Sequence, residues 1–286
     1  MDAIRALERD EFPLLLREIS DPPARIFVRG TLPAGEHLRF LCVVGSRRYT
    51  SYGRTACETL IAALAGFPVV IVSGLALGID SIAHRAALNA GLTTVAILGS
   101  GLGWDALYPR NHVALAREIL ERGGTLVSEF EEHFQATPWS FPQRNRVMAG
   151  LSHAVLVVEG EQKSGTMITA RLAGEYSRDV LAVPGPITAR TSEGVNRLIR
   201  DGATPITSSA DILEALDVKI QNPSDKVQTE NLSEDERRVV EILREPMPRD
   251  ELVRALGMQT HEANALLSAL EIKGLITETL GVVRFR

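Results

Sequence analysis

Six short apolar runs recur between about residue 40 and residue 216 of this 286-residue chain: Phe40–Val44, Pro68–Val72, Thr93–Leu98, Thr125–Val127, Ala154–Val158 and Val180–Val183. Each is rich in Val, Ile or Leu, lacks polar alternation, and ends in Gly, Ser, Glu or Pro. A run with no polar side is buried on both faces, the condition of a strand in a parallel sheet. Between the runs, Tyr52–Ala65, Ile79–Ala90, His112–Arg122 and Thr166–Tyr176 are long enough for helices. Strands alternating with helices predict an α/β domain over residues 39–217, Rossmann-like, with a doubly wound, mostly parallel sheet.

The flanks follow other rules. Residues 1–38 read as a short N-terminal extension, with a helix over Glu8–Ile19 and, after Pro22-Pro23, a short strand at Ile26–Arg29. Residues 218–232 are polar and aperiodic, as a linker is. Over residues 233–286, Ser233 with Glu236 forms a capping box that opens a helix to about Arg244. Pro248–Leu256 and Thr260–Lys273 read as two further helices, closed by Gly257 and Gly274, and Ile276–Thr279 with Val282–Phe285 as a hairpin. Three helices and a hairpin are the order of a small winged-helix-like domain.

Composition narrows the function classes. With 45% hydrophobic and 23% charged residues, the chain has the profile of a soluble globular protein. No stretch reaches the ~18 apolar residues of a membrane span, and the N-terminus is no signal peptide. Cys42 and Cys57 make no disulfide framework, so a reducing cytoplasm is expected. The formal charge of −5 excludes an overall basic coat, yet 27 of the 31 basic residues are arginine, whose planar donors suit phosphate. Residues 222–286 hold nine basic against twelve acidic residues, and the candidate recognition helix sets Glu262 and Glu271 against Lys273 alone. Major-groove docking needs a basic face, so this domain is read as a protein-contact module. Any attraction for nucleic acid must come from a local pocket.

In open α/β sheets ligands sit beyond the carboxyl ends of the strands. The segments found there are Gly45-Ser46-Arg47-Arg48, Ser73-Gly74 leading to Asp80 and His84, Gly99-Ser100-Gly101-Leu102-Gly103, and Glu159 through Lys163-Ser164-Gly165-Thr166. Small residues let backbone approach a ligand, and helix N-termini offer free N–H groups to anions. Any one of these loops is equally a tight turn, but four on one edge, two with Arg or Lys, point to a phosphate-binding rim. Neither a dinucleotide nor a P-loop fingerprint fits, so no nucleotide cofactor is assigned. The histidines and cysteines lack metal-ligand spacing, so no metal is assigned either.

The stretch from Trp139 to Ser152 places Arg144, Asn145 and Arg146 just after two aromatics, Trp139 and Phe141. Guanidinium for phosphate and a ring for base stacking is the chemistry of single-stranded nucleic acid binding. The same pattern also fits core aromatics followed by a solvated arginine turn.

Several motifs, in unbroken order, closely resemble the DprA/Smf family. They are Val43-Val44-Gly45-Ser46-Arg47, the run from Val72 to His84, Tyr108-Pro109-Arg110-Asn111, Phe141 to Ser152, Ser164-Gly165-Thr166 with Thr169-Ala170, and Val183-Pro184-Gly185. The resemblance implies a Rossmann-like core that binds single-stranded DNA, forms a homodimer, and loads the RecA recombinase during natural transformation. It maps the DNA site onto Gly45, Ser46, Arg47, Arg48, Ser73, Gly74, Phe141, Arg144, Asn145, Arg146, Lys163, Ser164, Gly165 and Thr166. The four arginines are expected to grip phosphates and Phe141 to stack on a base. Two departures from the family pattern stand out: an acidic loop from Glu129 to Gln135 and Pro138, where some relatives carry a basic residue. Carboxylates beside the site are expected to weaken binding.

A second reading is a nucleotide-processing enzyme resembling the phosphoribohydrolases, with Asp80, His84, Glu159 and Glu175 as candidate acid–base groups. Against it, Glu159-Gly160-Glu161-Gln162 stands where those hydrolases carry a Gly-Gly phosphate loop. The expectation is a binding protein rather than an enzyme.

Overall fold

The structure, a computed structural model of the chain, describes residues 3–219, 233–243, 247–272, 275–279 and 281–285. It divides into two compact units, residues 1–218 and 219–286.

The first unit is built on nine strands: β1 (Ile4–Glu8), β2 (Arg25–Gly30), β3 (Arg39–Val44), β4 (Val69–Ser73), β5 (Thr94–Leu98), β6 (Thr125–Ser128), β7 (Ala154–Val157), β8 (Asp179–Ala182) and β9 (Thr204–Pro205). Their order across the sheet is β1-β2-β6-β5-β4-β3-β7-β8-β9. From β6 to β9 every pairing is parallel; β2 joins β6 antiparallel and β1 joins β2 antiparallel. Each of the six apolar runs of the sequence is therefore a strand.

The described residues of this unit form eight α-helices: α1 (Leu14–Arg17), α2 (Ser51–Ala62), α3 (Ile79–Asn89), α4 (Val113–Glu121), α5 (Ser140–Gly150), α6 (Gly165–Glu175), α7 (Glu193–Arg200) and α8 (Ser209–Ala215). They cover both sheet faces, and strand alternation divides the core between them. Cys42 and Val44 pack on one side with Val147, Met148, Ala170 and Ala173 of α5 and α6. Leu41 and Val43 pack on the other with Cys57, Ile61, Ile79 and Ala83 of α2 and α3.

The sequence reading of residues 1–38 needs correction. They are not set apart from the core: β1 and β2 extend its sheet beyond β6. The expected helix over Glu8–Ile19 is instead the end of β1, a 3-10 turn at Arg9–Glu11 and the four-residue α1. Pro13 explains the break: it has no N–H to continue a helix through its interior, and it stands at the N-cap of α1.

The second unit contains α9 (Glu234–Ile242), α10 (Arg249–Leu256) and α11 (Thr260–Ile272), with β10 (Met247–Pro248), β11 (Ile276–Thr279) and β12 (Val282–Phe285) in the order β10-β12-β11. Ser233 and Glu236 close their capping box, and Gly257 ends α10 in the left-handed region at φ 64°. Val239, Leu243, Leu252, Leu256, Leu267, Leu270 and Val283 make its core. Helices followed by the β11–β12 hairpin give the winged-helix arrangement. The expected linker over 218–232 lies, beyond Val218 and Lys219, outside the described residues, as do Arg244, Lys273 and Gly274. No described helix is long and apolar enough to cross a membrane.

Candidate functional site

From β3 the chain winds outward through β4, β5 and β6, then returns through α5 to place β7 on the other side of β3. That reversal opens a crevice between the carboxyl ends of β3 and β7, where doubly wound sheets hold their ligands. A cleft of 530 Å³ lies there. Gly45, Ser46, Arg47 and Arg48 after β3 form one wall, Phe141, Arg144 and Asn145 of α5 another, and Ser164, Gly165 and Thr166 at the start of α6 a third.

The helix N-termini around this cleft are not equivalent. That of α2 is already filled by the buried carboxylate of Glu159, which accepts from the Thr50 N–H at 2.9 Å and the Thr50 hydroxyl at 2.6 Å. Asp80, in the first turn of α3, accepts from the backbone N–H groups of Gly74 at 3.1 Å and Ala76 at 3.4 Å. Burial pushes its carboxyl pKa up, against the opposing pull of Arg144 and of these two N–H groups. The start of α6 is different. Its N-cap Ser164 makes no capping bond, and the buried Ser164 Oγ has no hydrogen-bond partner among the described residues. Gly165 has open space where a side chain would be. The first N–H groups of a helix have no acceptor within it, so this terminus presents unsatisfied donors to the cleft.

The five predicted cations separate into distinct environments. Arg47 and Arg48 are exposed on the cleft wall, and the Arg47 guanidinium lies 5.5 Å from the centre of the Phe141 ring. Arg144 lines the cleft but is only 5% exposed. Its Nη1 donates to the carbonyls of Gly74, at 2.5 Å, and of Ile97, and its Nε donates to Asn145 Oδ1 at 3.2 Å. Burial lowers its pKa while Asp80 opposes the shift. Arg144 is therefore chiefly a brace that fixes α5 against β4 and β5, a correction to its expected role as a free phosphate grip. Arg146 is also corrected. It lies outside this cleft, in a neighbouring groove, donating to the carbonyl of Asp21 and to the Glu129 carboxylate. Lys163 is exposed one residue before the N-cap of α6 and does not line the cleft.

Ser73 is likewise structural: fully buried, its hydroxyl donates to the Val43 carbonyl at 2.6 Å. Gly74 makes room for Arg144. The acidic loop is less intrusive than its sequence suggests, because Glu129 is paired with Arg146 and no residue from 129 to 135 lines the cleft. Two acidic groups do line it: Asp80, already bonded to the Gly74 and Ala76 N–H groups, and Glu161, which pairs with Arg190 at 3.2 Å.

The four candidate acid–base groups do not converge. Only Asp80 lines the cleft. His84 is fully buried with its Nδ1 2.7 Å from Thr94 Oγ1, Glu159 serves α2, and Glu175 pairs on the surface with Arg171 at 3.5 Å. Among the described residues no group of three or more His, Cys, Asp or Glu could hold a metal ion. Ile168 and Thr169 also line the cleft and were not singled out as site residues. Their signal was the spacing from Gly165 and Thr166, which puts one helical turn of α6 on the same face.

The profile of the family described as DNA recombination-mediator protein A matches residues 3–217, and that of the DprA winged helix domain matches residues 223–281. Protein Smf of Escherichia coli K12 is 41% identical over 288 residues, covering 96% of this chain and 75% of that protein. DNA processing protein DprA of Bacillus subtilis is 38% identical over 206 residues, covering 72% and 68%. Among solved structures, DprA from Streptococcus pneumoniae superposes with a TM-score of 0.68 at 37% identity, over 74% of each chain. DNA processing protein A from Helicobacter pylori, studied for its single-stranded DNA binding mode, superposes with a TM-score of 0.67 at 31% identity, over 75% of this chain and 96% of that one. With both units matched and the cleft at the family's characteristic motifs, the chain belongs to the DprA/Smf family of DNA recombination mediators.

Proposed function

We propose that this protein binds single-stranded DNA in the cleft between β3 and β7, shields it, and hands it to the RecA recombinase during natural transformation. It acts without turning the strand over chemically, as a homodimer, in a cytoplasm reducing enough to keep the buried thiols of Cys42 and Cys57 free. The observation that carries the reading is the unfilled N-terminus of α6 in one cleft with two exposed guanidiniums, Arg47 and Arg48, and with the Phe141 ring, which lies 5.5 Å from the Arg47 guanidinium. Phosphate donors beside an aromatic face suit an unpaired strand, whose bases are free to stack. The single-stranded DNA binding described for the Helicobacter pylori relative and the recombination-mediator name of the family support the same assignment.

The enzyme alternative has less support, since one candidate acid–base group of four reaches the cleft. Titration with a labelled oligothymidylate, a blunt duplex of equal length and nucleoside monophosphates separates the readings. The expected result is preference for the single strand with little sequence dependence, and recovery of every nucleotide unchanged. Equal or tighter binding to duplex, or turnover of a nucleotide abolished by Asp80→Asn, contradicts it.

A further inference from the structure

Among the described residues of the first unit, every exposed large apolar side chain lies on a segment leaving the carboxyl end of a strand: Leu14 after β1, Tyr49 and Tyr52 after β3, Leu77 after β4, Tyr108 after β5, Trp139 after β6 and Ile187 after β8. Single exposed apolar residues scattered over a surface need no explanation; a concentration along one edge marks a binding face. Within this set, Tyr108 and Leu77 stand apart. Tyr52 is pinned by its hydroxyl, which donates to the Pro184 carbonyl at 2.5 Å, and Trp139 packs edge-on against Phe130 and Phe134. Tyr108, 47% exposed, and Leu77, 46% exposed, flank a hollow shared with Arg47 and Phe141.

The geometry of the rings decides what they can hold. The centre of the Tyr108 ring is 5.7 Å from that of Phe141, and the planes are inclined at 49°. A base sandwiched between two rings needs them parallel and about 7 Å apart, twice the ~3.5 Å contact distance. These rings are too close and too tilted for that, so each must take a base of its own. The hollow between them measures 30 Å³, against 530 Å³ for the cleft. A base therefore lies over Tyr108 rather than in a pocket beneath it. The platform is held firmly from behind: the Tyr108 N–H donates to Ser100 Oγ at 3.1 Å, and Ser128 Oγ donates to the Ser100 carbonyl at 2.6 Å. The Tyr108 hydroxyl has no hydrogen-bond partner among the described residues, so nothing in the fold depends on it.

Building on the proposed function, we infer that Tyr108, with Leu77 beside it, is a second base-stacking platform. It takes the nucleotide next to the one on Phe141, so that the strand leaves the cleft over the carboxyl end of β5.

The test uses the full chain and two probes of equal length, an oligothymidylate and an oligomer of abasic sites with the same phosphodiester backbone. Tyr108→Ala is expected to weaken binding of the oligothymidylate about tenfold with an unchanged salt dependence, the effect of losing one stacked base. Tyr108→Phe retains wild-type affinity, Leu77→Ala shifts affinity in the same direction as Tyr108→Ala, and neither tyrosine variant alters binding of the abasic probe. If Tyr108→Ala binds the oligothymidylate like wild type while Phe141→Ala does not, the cleft binds DNA and the second platform does not exist. An equal loss on both probes also overturns the inference, because the effect would not depend on a base. Failure of the wild-type protein to bind either probe overturns the proposed function and this inference with it.

Discussion

The guanidinium of Arg144 fills the space that a side chain at Gly74 would need: an ideal Cβ there would stand 2.1 Å from Nη1, while the Gly74 carbonyl accepts from that same nitrogen at 2.5 Å. Glycine at this position thus admits a buried cation between the β4 loop and α5, while Asp80 accepts from the Gly74 N–H at 3.1 Å. Charge and shape are locked together behind the cleft wall.

Gly74→Ala is expected to displace Arg144 and lower stability by about 1–3 kcal/mol, the usual effect of overpacking. Arg144→Met should be worse, about 3–5 kcal/mol, because it removes the cation that opposes the burial of Asp80. Urea unfolding of both variants measures this. A Gly74→Ala protein as stable as wild type contradicts the account of Arg144 as a brace.

His84 gives a pH prediction. It is fully buried beside Thr94, whose hydroxyl donates to the Ile71 carbonyl at 2.9 Å. His84 Nδ1–H therefore donates to the Thr94 hydroxyl oxygen, and the buried Nε2 makes no hydrogen bond among the described residues. Burial first, then His112 and Arg144, push its pKa down to about 3. The unfolded chain takes up a proton near pH 6.5, but the folded chain stays neutral until about 3. Stability contributed by His84 is therefore complete above pH 6.5 and declines as the pH falls, by at most ~1.4 kcal/mol per unit. His84→Gln, which cannot titrate, should be less stable than wild type at pH 7.5, with the gap narrowing by pH 5. A gap that stays constant between those pH values contradicts the prediction.

The parallel sheet was legible because its strands are buried on both faces and therefore read as uninterrupted apolar runs. Other parts of the fold were hidden, α7, α8 and β9 among them, and two of these parts show why. β1 is an edge strand carrying Arg5 and Glu8, with only Leu7 fully buried, so it gave no apolar run. α5 escaped because its inward face is partly polar: Ser140, Arg144 and Asn145 are buried, and Arg144 meets backbone carbonyls where a helix would ordinarily bury aliphatic groups. The hydrophobic period is lost there for the same reason that the site exists. The candidate site was legible as a region, since most of the predicted residues line one cleft. Sequence alone could not sort its arginines. Whether a guanidinium meets solvent, as at Arg47, or a carbonyl and a carboxylate, as at Arg146, depends on strands and loops far away in the chain.

That sorting supplies the most direct test of the account, the dependence of single-strand affinity on salt. Each phosphate neutralised on a single strand contributes about −0.7 to the slope of log affinity against log salt concentration. With Arg47 and Arg48 as the exposed cations of the cleft among the described residues, their part of the slope is about −1.4. Arg47→Ala should flatten the wild-type slope by about 0.7 and weaken binding alike across sequences, whereas Phe141→Ala should weaken binding with the slope kept. Arg146→Ala, which removes a cation already paired with Glu129, should leave the slope unchanged. A folded Arg47→Ala protein that retains wild-type affinity and slope would show that single-stranded DNA is not held in the cleft between β3 and β7.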